Sequence, residues 1–195
     1  MKIIVIGSTG TIGSEVVKAL AANHEVVGVS RKSSPSVDIT DSASLAALFS
    51  TVTGVDAVVS VAGGGAWKPL AELTDEDFAQ SLGYKLMGQV NVIRHALKTL
   101  KDGGSVTVTS GVLAQNPIPN AAAVAMLNAG LEGFVRGAAV EAPRGIRVNV
   151  VSPPWATETL KAWGMDPSHG MPAAQMAKAY VAAVEGSQTG ATIPC

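Results

Sequence analysis

The chain has 195 residues, 47% of them hydrophobic and 15% charged, with a net charge of -1 and a positive mean hydropathy. This balance predicts one folded domain over 1–195 and excludes a disordered chain, and a near-neutral charge leaves no electrostatic footprint for nucleic acid or an anionic membrane. Cys195 is the sole cysteine, which excludes an internal disulfide and a cysteine-based metal site.

No apolar run approaches the roughly 20 residues of a membrane span, so the expected location is cytoplasmic. Residues 2–7 run straight into a glycine motif without a cleavage pattern, and they read as a buried strand rather than a signal peptide. Ile12, Val16, Val17 and Leu20 have helical spacing over 12–22. Strands follow at 25–30 and, briefly, at 36–39. Asp41 or Ser42 caps a helix carrying Leu45, Leu48 and Phe49. Residues 56–61 form the fourth strand, ending in Gly63-Gly64-Gly65. Thr74 with Asp77 resembles a capping box. A helix over about 83–101 stops before Gly103-Gly104, a strand covers 105–109, and an Ala-rich helix covers 120–141. Residues 147–151 are the sixth strand, a last helix runs from Pro172 to near Gly186, and 191–193 can add an edge strand. Alternating strands and helices predict an α/β fold of the Rossmann type. The expected sheet is doubly wound and parallel, of seven strands in the order 3-2-1-4-5-6-7, with helices on both faces.

Gly7-Ser8-Thr9-Gly10-Thr11-Ile12-Gly13 lies between the first strand and the first helix. Glycines there let the backbone turn tightly and approach a pyrophosphate, and the helix N-terminus favours the anion. A turn of this kind can also be purely structural, but its place in a βαβ unit favours a dinucleotide. Sites that prefer NAD carry an acid about 20 residues further on, for the ribose 2′-hydroxyl. Here the sequence reads Ser30-Arg31-Lys32. A guanidinium matches phosphate with paired donors, so Arg31, assisted by Lys32 and Ser30, predicts NADP(H) over NAD(H).

These residues, with several further along, resemble the short-chain dehydrogenase/reductase family over nearly the whole chain. Asp38-Ile39-Thr40 is similar to the segment that meets the adenine. Val61-Ala62-Gly63-Gly64 resembles the turn beside the adenine ribose. Arg147 to Pro153, followed by Thr157, resembles the segment that carries the nicotinamide, and Leu131-Glu132-Gly133-Phe134 the helix flanking the active site. The resemblance implies an oxidoreductase acting on a small carbonyl or hydroxyl compound, and a homodimer or homotetramer formed through the helices at 83–101 and 120–141.

The same resemblance aligns the family's Tyr-x-x-x-Lys with Val124 and Asn128, its Ser with Gly111 and its Asn with Lys85. The usual proton relay is therefore replaced. Neither Tyr84 nor Tyr180 has a lysine four residues later. Lys85, on the face that the resemblance turns toward the nicotinamide, is the candidate to polarise a carbonyl or give a proton, with Ser110 positioning the same oxygen. A lysine can equally lay its stem on apolar surface with its charge in water. His24, His95 and His169 read as surface residues, and no residue cluster has metal-ligand spacing. Trp67, Trp155 and Trp163 follow strand ends, where they can wall an apolar pocket or pack locally. Two other functions fit these residues: a non-catalytic NADP(H) sensor, and an isomerase or epimerase that uses the dinucleotide.

Overall fold

The computed structural model describes all 195 residues. Six parallel strands form one sheet: β1 (Lys2–Ile6), β2 (Glu25–Val29), β3 (Ala57–Ser60), β4 (Ser105–Thr109), β5 (Arg147–Ser152) and β6 (Thr192–Pro194). Their order is β2-β1-β3-β4-β5-β6. This is the expected doubly wound sheet with one strand fewer. Residues 36–39, expected as the third strand, make only an isolated bridge between Ser30 and Ser36. The backbone leaves the sheet because its donors are taken elsewhere. The Asp38 N–H donates to Ser44 Oγ at 3.0 Å, and the Thr40 N–H donates to Asp38 Oδ1 at 2.9 Å.

Side chains alternate across a strand, so a central strand feeds two cores. Ile4 and Ile6 of β1 pack toward α2 (Ser42–Thr51), α4 (Gly88–Thr99) and α5 (Ala122–Glu141). Ile3 and Val5 pack toward α1 (Thr11–Ala21) and α7 (Ala173–Glu185). Asp41 caps α2 by accepting from the Ala43 N–H at 2.8 Å. Thr74 and Asp77 form the expected capping box on α3 (Asp75–Ser81).

Two helices differ from the pattern in the sequence. The expected helix at 83–101 begins as a π-helix over Leu82–Met87, and α4 follows only from Gly88, whose N–H donates to the Gly83 carbonyl. The wider turn brings α4 close to Ile39, whose Cδ1 would lie 2.8 Å from a Cβ at position 88. The expected helix at 120–141 starts at Ala122, because Asn120 has φ of 68°. His95 also departs from its expected solvated position: it is half-buried, stacks on Phe49 and sits 3.0 Å from Ser42 Oγ. No helix is long and apolar enough to cross a membrane.

Candidate active site

At the carboxyl edge of the sheet lies one groove with two lobes, which share Val61 and Gly63. The first lobe, about 440 Å³, is lined by Gly7, Thr9, Gly10, Ser30, Arg31, Lys32, Asp38, Ile39, Ala62 and Gly63, all expected cofactor contacts. Gly7 has φ of 86°, and a Cβ there would stand 3.0 Å from the Val61 carbonyl carbon. A Cβ on Gly13 would meet the Gly7 oxygen at 2.1 Å, so only glycine lets α1 start so close to the turn. Arg31 lies over the Tyr84 ring at 5.6 Å from its centroid. Hydrogen bonds from the Thr40 backbone and hydroxyl hold the Asp38 carboxyl below its usual range, with Arg31 adding to the effect.

The second lobe, about 460 Å³, joins Ile12, Gly64, Lys85, Ser110, Pro153 and all three tryptophans, with Val124 and Asn128 alongside. Lys85 is carried by the π-helix, and its stem lies against Gly63. It is 9% exposed, and its Nζ donates to the Ser110 carbonyl at 3.1 Å. Burial pushes its pKa down to about 8. Of the two placements open to this lysine, the structure adopts the buried one. The Ser110 hydroxyl donates to Glu132 Oε1 at 2.8 Å, with the Val151 carbonyl at 3.4 Å as a second acceptor. Gln115 donates to the other oxygen of Glu132. Asn128 gives its Nδ2 to the Gly111 carbonyl at 3.3 Å, while its buried Oδ1 has no donor.

Ser8, Thr11 and Thr157, also expected contacts, line neither lobe. Ser8 packs against Gly28, and Thr157 starts the short helix α6 (Thr157–Ala162) with its N–H on the Met171 carbonyl. Gly13, likewise an expected contact, is buried beneath the turn and lines neither lobe. Tyr180 is buried away from the site, with its hydroxyl on Thr109 Oγ1 at 2.9 Å. Two functional positions escaped the sequence reading. Glu132 falls between Leu131 and Val135 at core spacing, one turn beyond Asn128, and a carboxylate in that stripe is the signal. Gln89 sits in the apolar stripe of α4 in the same way and pairs with both Thr109 backbone groups at 2.8 Å.

A sequence profile described as Enoyl-(Acyl carrier protein) reductase matches residues 4–189. The chain belongs to the short-chain dehydrogenase/reductase family. It is similar to the protein lin1944 from Listeria innocua, at 38% identity and a TM-score of 0.94, covering 100% of this chain and 98% of that one. It also superposes on a small-chain dehydrogenase in complex with NADPH, at 27% identity and a TM-score of 0.88, covering 100% and 96% of the two chains. Among curated proteins, the hydroxynaphthalene reductase-like protein Arp2 of Metarhizium brunneum is 35% identical over 135 residues, 66% of this chain and 51% of that protein. The tetrahydroxynaphthalene reductase PfmaG of Pestalotiopsis fici is 35% identical over 143 residues, 68% and 52% of the two. The chain spans about half the length of the curated relatives it matches.

Short-chain dehydrogenases/reductases bind NAD(P)(H), and the start of α1, behind the glycine turn, has the donors for such a group. The N–H groups of Thr11, Ile12 and Gly13 find no acceptor in the protein, Gly10 adds no side-chain cap, and the first turn of α1 has no acid. That leaves the positive end of α1 open to a pyrophosphate.

Proposed function

We propose that this chain is an NADP(H)-dependent reductase of small carbonyl compounds whose proton donor is Lys85. The observation that carries this reading is the buried Lys85 ammonium in the second lobe, beside Ser110 and next to the dinucleotide groove. Arg31 and Lys32, with Ser30, hold the 2′-phosphate through charge-assisted hydrogen bonds. The backbone of the turn from Gly7 to Gly13, including Ser8 and Thr11, holds the pyrophosphate. Asp38 and Ile39 flank the adenine. Ala62, Gly63 and Gly64 flank the ribose, and Pro153 and Thr157 belong to the segment carrying the nicotinamide.

NADPH, when bound, supplies the hydride for the carbonyl carbon. Lys85 donates a hydrogen bond to the carbonyl oxygen, polarises it and passes it a proton as the C=O double bond opens. A pKa near 8 makes this ammonium a stronger acid than an ordinary lysine at neutral pH. The neutral amine left behind regains its proton from water when the alcohol leaves. Val124 and Asn128 take no part in this transfer, since neither carries an acidic proton. The reductase names of the curated relatives support catalysis rather than sensing.

The test is NADPH consumption at 340 nm against a panel of carbonyl compounds, with wild type and Lys85→Met side by side. Turnover by wild type that Lys85→Met loses supports the reading. Equal turnover by both sinks Lys85 as the donor, and turnover by neither sinks the reductase.

A further inference from the structure

The second lobe has an aromatic wall and a polar floor with opposite preferences. Trp155 stands between Trp67 and Trp163, its ring centroid 5.3 Å from each, at interplanar angles of 78° and 67°. Trp67 and Trp163 remain 41% and 59% exposed. Local packing alone would bury more of these indoles, because exposed apolar area costs about 25 cal/mol per Å². A wall of edges and open faces, drawn from the loops after β3 and β5, suits a flat ring.

On the floor, Lys85 offers donors, since only one of its three N–H groups is spent on the Ser110 carbonyl. The single Ser110 hydroxyl proton is committed inside the protein, to Glu132 at 2.8 Å or to the Val151 carbonyl at 3.4 Å. With that proton turned inward, Ser110 Oγ presents lone pairs to the lobe rather than a proton. No carboxylate lines the lobe, so a cationic amine has no counter-charge there. One cationic donor, bonded to the carbonyl of the same residue whose hydroxyl oxygen accepts, matches a ligand with an acceptor and a donor close together.

We propose, building on the reductase reading above, that the second lobe takes an uncharged, flat, fused-ring compound bearing a carbonyl with a hydroxyl on the neighbouring carbon. The carbonyl oxygen lies on Lys85 Nζ, the hydroxyl donates to Ser110 Oγ, and the rings lie along the tryptophans. Ser110 thus reads the hydroxyl and leaves the carbonyl to Lys85.

The test is a binding titration followed by tryptophan fluorescence, with the protein in saturating NADP⁺. The probes are 2-hydroxy-1-tetralone, 4-hydroxy-1-tetralone, 1-tetralone and acetoin. The 2-hydroxy compound should bind about five- to ten-fold more tightly than 1-tetralone, the scale of one net hydrogen bond. The 4-hydroxy compound should gain nothing, and acetoin, which keeps the oxygens without the rings, should bind at least about a hundred-fold more weakly. Trp163→Ala, at an exposed position, should weaken all three tetralones and preserve their ranking. Equal affinities among the tetralones overturn the role of Ser110, and acetoin binding as tightly as the tetralones overturns the ring. Because this titration reads binding and not turnover, the predicted ranking without NADPH consumption would sink only the reductase. The wrong ranking alongside NADPH consumption would sink only the proposed ligand.

Discussion

Gly63 lies flat against Lys85: a Cβ at position 63 would stand 3.0 Å from Lys85 Cδ and 3.2 Å from its Cα. Gly63 also has φ of 129°, where a side chain is strained by about 1–3 kcal/mol. Gly63→Ala should therefore push the lysine out of place. The expected outcome is a fall in kcat of about ten-fold or more with a smaller change in the KM for NADPH, read by steady-state kinetics. Unchanged kcat would mean that the stem position is immaterial.

Lys85→Met keeps most of the stem and removes the charge. If Lys85 is the general acid, kcat falls by about 10²–10⁴-fold while NADPH affinity stays the same. Wild-type kcat should be level below pH 8 and decline above it, as the ammonium with its pKa of about 8 empties. A flat profile from pH 7 to 9.5 contradicts the assignment.

The same burial makes a stability prediction. The folded pKa of Lys85, about 8, lies below the ordinary 10.5, so between these values the unfolded chain holds the extra proton. The cost of burying charged Lys85 is complete below pH 8 and fades as the pH rises toward 10.5. At about 1.4 kcal/mol per unit this cost is about 3 kcal/mol. Lys85→Met should accordingly be the more stable protein at pH 7 in urea unfolding, with the gap closing toward pH 10.

Arg31→Ala tests the cofactor. Loss of a charge-assisted bond should weaken NADP binding by about 1.5–3 kcal/mol and leave NAD binding unchanged. Equal affinity for the two dinucleotides before and after the mutation would count against a 2′-phosphate site.

The resemblance to short-chain dehydrogenases/reductases implies pairing through α4 and α5. On α5, Met126 is 43% exposed and Val140 is 87% exposed, apolar area that a second copy would cover. Light scattering should return twice or four times the 19.7 kDa chain mass, and the monomer mass at micromolar concentration would refute it.

Most of the sheet was legible because β1, β3 and β5 are short apolar runs between glycine or proline signals, a pattern set by local chemistry. The glycine turn was legible for the same reason. Residues 36–39 misled because their alternation is genuine, with Val37 and Ile39 buried, yet hydrogen bonds from Asp38 and to Ser44 turn the backbone away. The burial of Lys85 was hidden because it rests on Gly63 and the Ser110 carbonyl, which come from other elements and leave no signal in the spacing around residue 85. Glu132 was hidden because its partners, Ser110 and Gln115, come from another element, and no spacing along α5 announces them.

β3 and β4 pair only as far as Val59 and Thr107 and then part. Just beyond, the Gln89 amide takes up both backbone groups of Thr109, with the donor and acceptor that a peptide unit would offer. It acts as a one-residue surrogate strand, a wedge that closes the ladder without filling the gap. On its β3 side the carboxyl end of β4 is thereby held by an amide from α4 rather than by a neighbouring strand, while Thr109 Oγ1, on the Ser60 carbonyl at 2.7 Å, carries the link to β3. A carboxylate at position 89 would turn the wedge's donor into a second acceptor against the Thr109 carbonyl, and the end of β4 would lose one of its two bonds to α4.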